Sequence, residues 1–343
     1  MSKIHFLPVR HGDAFIIECT QGDAHGLIVI DGGPMGCGHI LQIKLKELGT
    51  PDLMVLTHYD DDHIGGILQL VGTCLDDNVI LAKEVWANCA GYVEMAESKS
   101  TNAKQGVALS VKLNELKEKH GIIWRDDLSE GFEKDLPFAS IEVVSPPETI
   151  RRMVIKKQEE EGQQLLNASQ MNTDNLQKSI TELAEYMPKE PDLNKDTELA
   201  NASSIAFILK CDDLSILMLG DCYPQNVERY LRGKGYSEEN PLVVDFVKIS
   251  HHGSRNNTSN SLLDIIRCDK FIISTNGGKC RSNHPDRITI AHILCHPERN
   301  MDTKVHLYFN YKKELIEANG AAFLNDEEYK EWNFEIHDNN TEL

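Results

Sequence analysis

The run Thr57-His58-Tyr59-Asp60-Asp61-Asp62-His63-Ile64-Gly65-Gly66 sets three carboxylates and two imidazoles within six residues. Adjacent carboxylates repel one another unless a cation compensates them. One or two divalent ions would do so, and imidazole with carboxylate is a donor set such ions accept. A polar solvated loop is the competing reading. Against it, the run follows an apolar strand at 53–56 and precedes Ile64-Gly65-Gly66, so its groups are held at a strand end. Two further strand ends carry the same residue types: Asp221 follows the apolar segment 214–219, and Ser250-His251-His252-Gly253-Ser254 follows 243–249. Asp31 ends a third strand, before Gly32-Gly33.

The positioning elements follow from hydrophobic periodicity. Strands are expected at 4–9, 14–18, 27–30, 53–56, 79–86, 122–124, 141–144, 204–209, 214–219, 243–249, 271–274 and 305–311. Helices are expected at 40–48, 105–119, 226–233, 262–266 and 288–295, several stopped by glycine. Ile64-Gly65-Gly66 opens another helix, where small residues admit close backbone approach and free amides favour an anion. This divides the chain into an N-terminal αβ half at 1–150, an insertion at 151–200, a C-terminal βα half at 201–312 and a terminal extension at 313–343. The insertion is charged, with Leu176, Ile180, Leu183, Ala184 and Met187 at helical spacing; it reads as helical or partly disordered.

Composition narrows the classes. The net charge is −19 over 343 residues, which disfavours long nucleic acid as a free partner. Nine cysteines are irregularly spaced with no CxxC pair, so free thiols in a reducing cytosol are expected rather than disulfides or a zinc knuckle. No apolar run has the length of a signal peptide or a membrane span, so a cytoplasmic protein is expected. No phosphate-binding glycine loop, dinucleotide fingerprint or Gly-x-Ser-x-Gly elbow occurs.

Seven pieces occur in order: Arg10-His11-Gly12-Asp13-Ala14, Ile30-Asp31-Gly32-Gly33, the Asp-rich run, Asn201-Ala202-Ser203-Ser204, Leu219-Gly220-Asp221, Ser250-His251-His252-Gly253-Ser254, and Ser274 through Asn283-His284-Pro285. Together they resemble the metallo-β-lactamase superfamily, whose motif is His-x-His-x-Asp-His. They are especially similar to the branch containing the hydrolase domain of bacterial competence DNA-uptake proteins. The resemblance spans about residues 4 to 310. It implies an α/β fold, the four-layer αββα sandwich. It implies His58 at one metal position with Asp60 in the place of the second histidine, and Asp62 and His63 at the other. Asp221 resembles the bridging carboxylate. His252, directly before the glycine, would complete the second position, with His251 as neighbour or phosphate contact.

Two departures shape the chemistry. Asp60 adds an oxygen ligand, which favours Mn²⁺ or Mg²⁺ relative to an all-imidazole zinc site, although Zn²⁺ also accepts oxygen. The Gly-His motif expected between the cluster and Asp221 is missing. His120, the only histidine in that interval, ends an expected helix and reads as structural. One or two divalent ions are expected, Mn²⁺ or Zn²⁺ first and Mg²⁺ also admitted. Such an ion lowers the pKa of water and clamps phosphoryl oxygens. Asp62 would orient the water or take its proton. Asp31 is either a support for the metal loop or a cap of its own turn, and Asp13 carries the same two readings. Ser254, Asn276, Lys279 and His284, with His251, form the expected substrate rim.

The expected activity is metal-dependent phosphodiester hydrolysis, as a phosphodiesterase or nuclease. The substrate would carry phosphate: a small nucleotide, short single-stranded DNA, or DNA presented by a partner. A lactone or lactam hydrolase, and a metal-stabilised noncatalytic subunit docking through 151–200 or the C-terminal extension, are the alternatives.

Overall fold

Alternate residues of single strands enter different cores. In β2 (Phe15–Gln21), after β1 (Lys3–Phe6), Phe15, Ile17 and Cys19 join one apolar cluster and Ile16 another. A strand with both faces buried must lie between two layers. The computed structural model describes residues 1–89, 101–160, 178–278, 283–319 and 322–343.

The first sheet adds β3 (Ala24–Ile30), β4 (Leu53–Val55), β5 (Glu84–Trp86) and β6 (Ile123–Arg125), in the order β1-β2-β3-β4-β5-β6. The second contains β7 (Glu133–Leu136), β8 (Ala139–Ser145), β9 (Ala206–Cys211) and β10 (Leu214–Met218). After β11 (Leu242–Val243) come β12 (Phe246–Lys248), β13 (Ile266–Arg267), β14 (Lys270–Ile273), β15 (Val305–Phe309) and β16 (Phe334–His337). Its order is β16-β15-β14-β12-β10-β9-β8-β7, while β11 and β13 pair separately. Phe6, Phe15, Ile30 and Trp86 of the first sheet meet Phe207, Ile216 and Ile272 of the second.

Helices cover both outer faces. The first sheet packs against α1 (Gly38–Leu48), α2 (Asp61–Asp77) and α3 (Thr101–His120), through Leu41, Ile64, Ile67, Leu109 and Leu113. After α4 (Glu148–Glu160), α5 (Ile180–Leu183) and α6 (Asp196–Ala202), the second sheet packs against α7 (Pro224–Gly233), α8 (Asn260–Leu263) and α9 (Arg287–Leu294). Val227, Leu231, Ile290 and Leu294 fill that layer. The architecture is the expected four-layer αββα, metallo-β-lactamase-like sandwich.

Several elements differ from the sequence reading. The strand expected at 79–86 is confined to β5, because Val79 and Ile80 lie exposed in the turn after α2. The strand at 243–249 splits into β11 and β12, and the helix at 262–266 is α8 followed by β13. β7 was not expected; its Glu-Lys-Asp-Leu sequence lies at a sheet edge and has no apolar alternation to reveal it. In the charged segment, Ile180 and Leu183 enter the core under the second sheet, whereas Met187 is 80% exposed because α5 ends before it. Leu176 lies outside the described residues. Beyond residue 312 come α10 (Lys313–Asn319), α11 (Glu328–Glu331) and β16, which extends the second sheet at its edge, and Leu343 pairs back with Ile4. Among the described residues, no helix is long and apolar enough to cross a membrane.

One close approach places the Asp-rich run. Gly32 N–H donates to His63 O at 2.9 Å, and Gly66 N–H to Gly33 O at 2.7 Å. A Cβ on Gly66 would lie 1.9 Å from Gly32 O, and one on Gly32 would lie 2.5 Å from Ile67 N. Only residues without a side chain let the start of α2 sit on the Asp31 loop. Gly66→Ala should therefore destabilise the protein by about 3 kcal/mol, measured by urea unfolding. Wild-type stability in that variant would show that the contact yields freely.

Candidate metal centre

The candidate site residues stand on loops at the carboxyl ends of strands: Asp31 after β3, His58 after β4, Asp221 after β10 and His252 after β12. Parallel neighbours β3–β4 and β10–β12 bring these ends together. Asp60, Asp61 and Asp62 straddle the first turn of α2, where successive side chains point about 100° apart. They consequently go three ways. Asp60 Oδ2 is 3.7 Å from His58 Nε2, Asp62 Oδ2 is 3.3 Å from His252 Nε2, and Asp61 Oδ1 accepts from Gln105 Nε2 at 2.7 Å. Asp60 occupies the helix N-cap but makes no side-chain cap hydrogen bond, forgoing a usual stabilisation of about 1 kcal/mol.

Asp221 stands at the middle. Its Oδ2 lies 3.4 Å from His63 Nε2, 3.9 Å from His58 Nε2, 3.9 Å from His252 Nε2 and 3.8 Å from His251 Nε2. His58, His63 and Asp221 form one group with ligand atoms within 4.8 Å of one another, and Asp62, His63 and His252 form a second. His120 ends α3 and belongs to neither.

The second nitrogen of each imidazole has a partner. His63 Nδ1 is 2.8 Å from Asp31 Oδ2, and His252 Nδ1 is 2.9 Å from Ser274 O. His58 Nδ1 is 3.1 Å from both Thr57 Oγ1 and Ser204 Oγ. Asp31 also accepts from Thr57 N at 2.8 Å and Thr57 Oγ1 at 2.7 Å, which ties the β3 loop to the β4 loop. Asp31 thus supports the loop instead of closing its own turn. Such contacts fix ring orientation and leave Nε2 facing inward. His58 Nε2, His63 Nε2, His252 Nε2, Asp221 Oδ1 and Asp13 Oδ1 are buried without any hydrogen-bond partner. Orphaned buried polar atoms are costly, and convergent ones fit a cation.

The electrostatics agree. Burial opposes charge on His252, but the neighbouring carboxylates of Asp13, Asp221 and Asp62 outweigh it and push its pKa up to about 10. His63 is raised well above the imidazole range, because Asp221, Asp31 and Asp62 overcome its burial. Asp221 is held well below the carboxylate range against its burial by His63, His251 and His252. Burial lifts Asp60, and it lowers His251 to about 4. The carboxylates therefore hold positive charge among them; a divalent ion can replace the protons that otherwise supply it.

By sequence, Lys248 is one position of the apolar strand 243–249. It is fully buried, with Nζ bonded to Asp13 and to Gly220 O at 3.0 Å, and 3.9 Å from Asp221 Oδ1. Asp13 in turn lies 3.4 Å from His252 Nδ1. The available signal was a lysine interrupting the apolar run four residues before His252. Ser204, which closes Asn201-Ala202-Ser203-Ser204, bridges His58 Nδ1 at 3.1 Å and the Asp221 N–H at 3.1 Å. The exposed His11 lies within electrostatic reach of Asp62 and His252.

The expected rim is only partly assembled. His251 and His284 approach with ring centroids 5.4 Å apart. His251 and His252 both take left-handed backbone, at φ 49° and 54°, a strained pair typical of functional loops. Ser254 is buried behind them, its N–H donating to His251 O at 2.9 Å. Asn276 Oδ1 accepts from Gly278 N at 3.1 Å, so that side chain holds its own loop. Arg255 is bonded to Asp286, Asn256 to Tyr186, and Asn257 to His251 and the Asp221 carbonyl. Lys279 lies outside the described residues.

No protein-family model and no curated protein matches the sequence. Among solved structures, the chain is similar to a diphosphatase of the PhnP family, at 10% identity and TM-score 0.41, covering 100% of this chain and 96% of that one. It is also similar to a metallo-β-lactamase from Pontibacter korlensis, at 12% identity and TM-score 0.28, covering 68% and 78%. A third similarity is to the CmlA β-hydroxylase, at 11% identity and TM-score 0.40, covering 100% and 53%. Likenesses at these identities and TM-scores carry no argument about activity.

Lys248→Met should destabilise the fold by about 3–5 kcal/mol, because Asp13 is left as an uncompensated buried charge. Lys248→Met with Asp13→Asn should recover part of that loss in a double-mutant cycle of unfolding free energies. A single variant as stable as wild type would refute the pairing.

Proposed function

We propose that the chain is a metal-dependent hydrolase acting on phosphodiesters. The observation that carries this reading is the convergence of unpartnered, buried His58, His63 and His252 Nε2 atoms around Asp221. His58, Asp60 and Asp221 would hold one ion, and Asp62, His63, His252 and Asp221 the other. The mixture of oxygen and imidazole donors suits Mn²⁺ or Zn²⁺, with Mg²⁺ also accommodated. When bound, the ions lower the pKa of water and neutralise charge developing on phosphoryl oxygens.

The chain's own groups then have distinct tasks. Asp62 is the carboxylate on the open side, its side chain 24% exposed, where it can orient a water and accept its proton. His251, 27% exposed beside Asp221, and His284 next to it would line the phosphate on the open side. Asp31, Thr57 and Ser204 keep the imidazoles in register. The nuclease reading rests on the motif resemblance to the competence-protein branch. With a net charge of −19, a small nucleotide or a short single strand is the favoured substrate unless a partner presents DNA. The charged segment at 151–200 and the C-terminal extension are the surfaces proposed for such a partner.

Metal-stripped protein should regain cleavage of single-stranded DNA, cyclic nucleotides or a simple phosphodiester when Mn²⁺, Mg²⁺ or Zn²⁺ is added separately, with Mn²⁺ effective. Asp62→Ala and His252→Ala should each lower kcat/KM by roughly 10²–10⁴-fold while remaining folded. Undiminished cleavage in both variants would sink the site. Turnover of lactones but of no phosphodiester would sink the substrate class.

Metal should also stabilise the fold. At about 100 times Kd, Mn²⁺ should add about 2.7 kcal/mol to unfolding, and Asp221→Asn should lose most of that gain. Urea titrations with and without chelator measure it, and an identical Mn²⁺ response in the variant would remove Asp221 from the ligand set.

A further inference from the structure

A second group of ligating side chains converges on β15 and β16, strands that contribute nothing to the cluster around Asp221. Their parallel register pairs His306 with Glu335 and Tyr308 with His337. The period of two sets all four on one face, while Val305, Leu307 and Phe309 enter the core beneath α9. His306 Nδ1 and His337 Nε2 are 2.8 Å apart, and Glu335 Oε2 is 4.0 Å from His306 Nδ1. The three ligand atoms lie within 4.8 Å of one another. Tyr308 stacks on the His337 ring at 4.6 Å and 14°, which restrains its orientation.

We propose that His306, His337 and Glu335 form a separate divalent-metal site of the zinc class that clips β16 onto β15. Two imidazoles and a carboxylate are a zinc donor set, and the open side leaves a fourth position for water. Zinc–nitrogen bonds of about 2.0–2.1 Å set tetrahedral ligand atoms about 3.3 Å apart. The imidazoles therefore separate by about half an ångström and the carboxylate moves in. The His306 and Glu335 side chains are 26% and 47% exposed, so both reach solvent. Lys304, 3.2 Å from Glu335 and 49% exposed, is the cation now paired there. Such an exposed pair contributes little and is readily exchanged for a metal. An imidazole–imidazole hydrogen bond alone would not require the carboxylate. The clip also has a structural consequence. The chain beyond β16 returns to the first sheet, where Leu343 and Ile4 exchange two backbone hydrogen bonds of 2.8 Å. Fixing β16 therefore fixes the last connection between the two sheets.

The test compares wild type, His306→Ala, His337→Ala and His252→Ala, each equilibrated with Zn²⁺ and freed of excess. Bound zinc is measured by elemental analysis, and amide hydrogen exchange of residues 334–337 is followed with and without Zn²⁺. His306→Ala and His337→Ala should each bind one equivalent less than wild type. Zinc should slow exchange of 334–337 roughly tenfold or more in wild type, by stabilising only the closed strand. His252→Ala should keep that slowing, because its change lies in the other cluster; His337→Ala should lose it. Equal zinc content in wild type and both β15–β16 variants would overturn the proposal, as would exchange at 334–337 that ignores zinc. Both readouts are independent of hydrolysis, so they stand or fall apart from the proposed activity.

Discussion

The structure depends on keeping several carboxylates together away from water. Asp13, Asp31 and Asp221 are all but fully buried, and Asp60 and Asp62 stand partly exposed beside them. Burying like charges at this density costs several kcal/mol per ion unless opposite charge is supplied. Lys248 supplies one fixed positive charge from within the second sheet. The imidazoles must supply the rest as protonated groups or share a metal ion. The raised His63 and His252 and the depressed Asp221 express the same demand.

That demand explains the division of labour between the sheets. The first sheet brings Asp31 and the Asp-rich run, held by the glycine contact between the Asp31 loop and α2. The second brings Asp221, Lys248 and His252 on neighbouring parallel strands. The first half carries the excess of carboxylates, and Lys248 of the second is the cation bonded to Asp13 of the first. The loops also cross-link: Ile205 N–H donates to Thr57 O at 2.9 Å, and His251 N–H to Gly220 O at 3.0 Å. The cluster is therefore complete only where the two sheets are packed together.

The two histidine clusters differ in the way a metal would matter to each. Around Asp221 the ligand atoms are buried and unpartnered, so the folded state holds a standing electrostatic cost that a cation relieves. On β15 and β16 the groups are half exposed and already hydrogen-bonded, so a cation there would add a cross-link to a strand edge that is complete without it. The first arrangement suits chemistry and the second suits fastening.

The sequence alone determined the α/β class, most strands and the three strand ends rich in ligating residues, because period-two apolar patterns and Asp-Asp-Asp-His runs are local signals. It also marked Asp31, Asp221 and the His251-His252 pair as residues of interest. The motif resemblance already set Asp60 with His58 and Asp62 with His252. The helix phase of α2, which turns Asp61 away to Gln105, and the atoms that face one another were decided by tertiary structure. Lys248 was hidden for the same reason: a lysine in an apolar strand has meaning only once Asp13, more than two hundred residues earlier, is packed against it. The His306–Glu335–His337 group likewise exists only through the register of β15 against β16. Local pattern names candidate ligands, and long-range packing determines which atoms face one another.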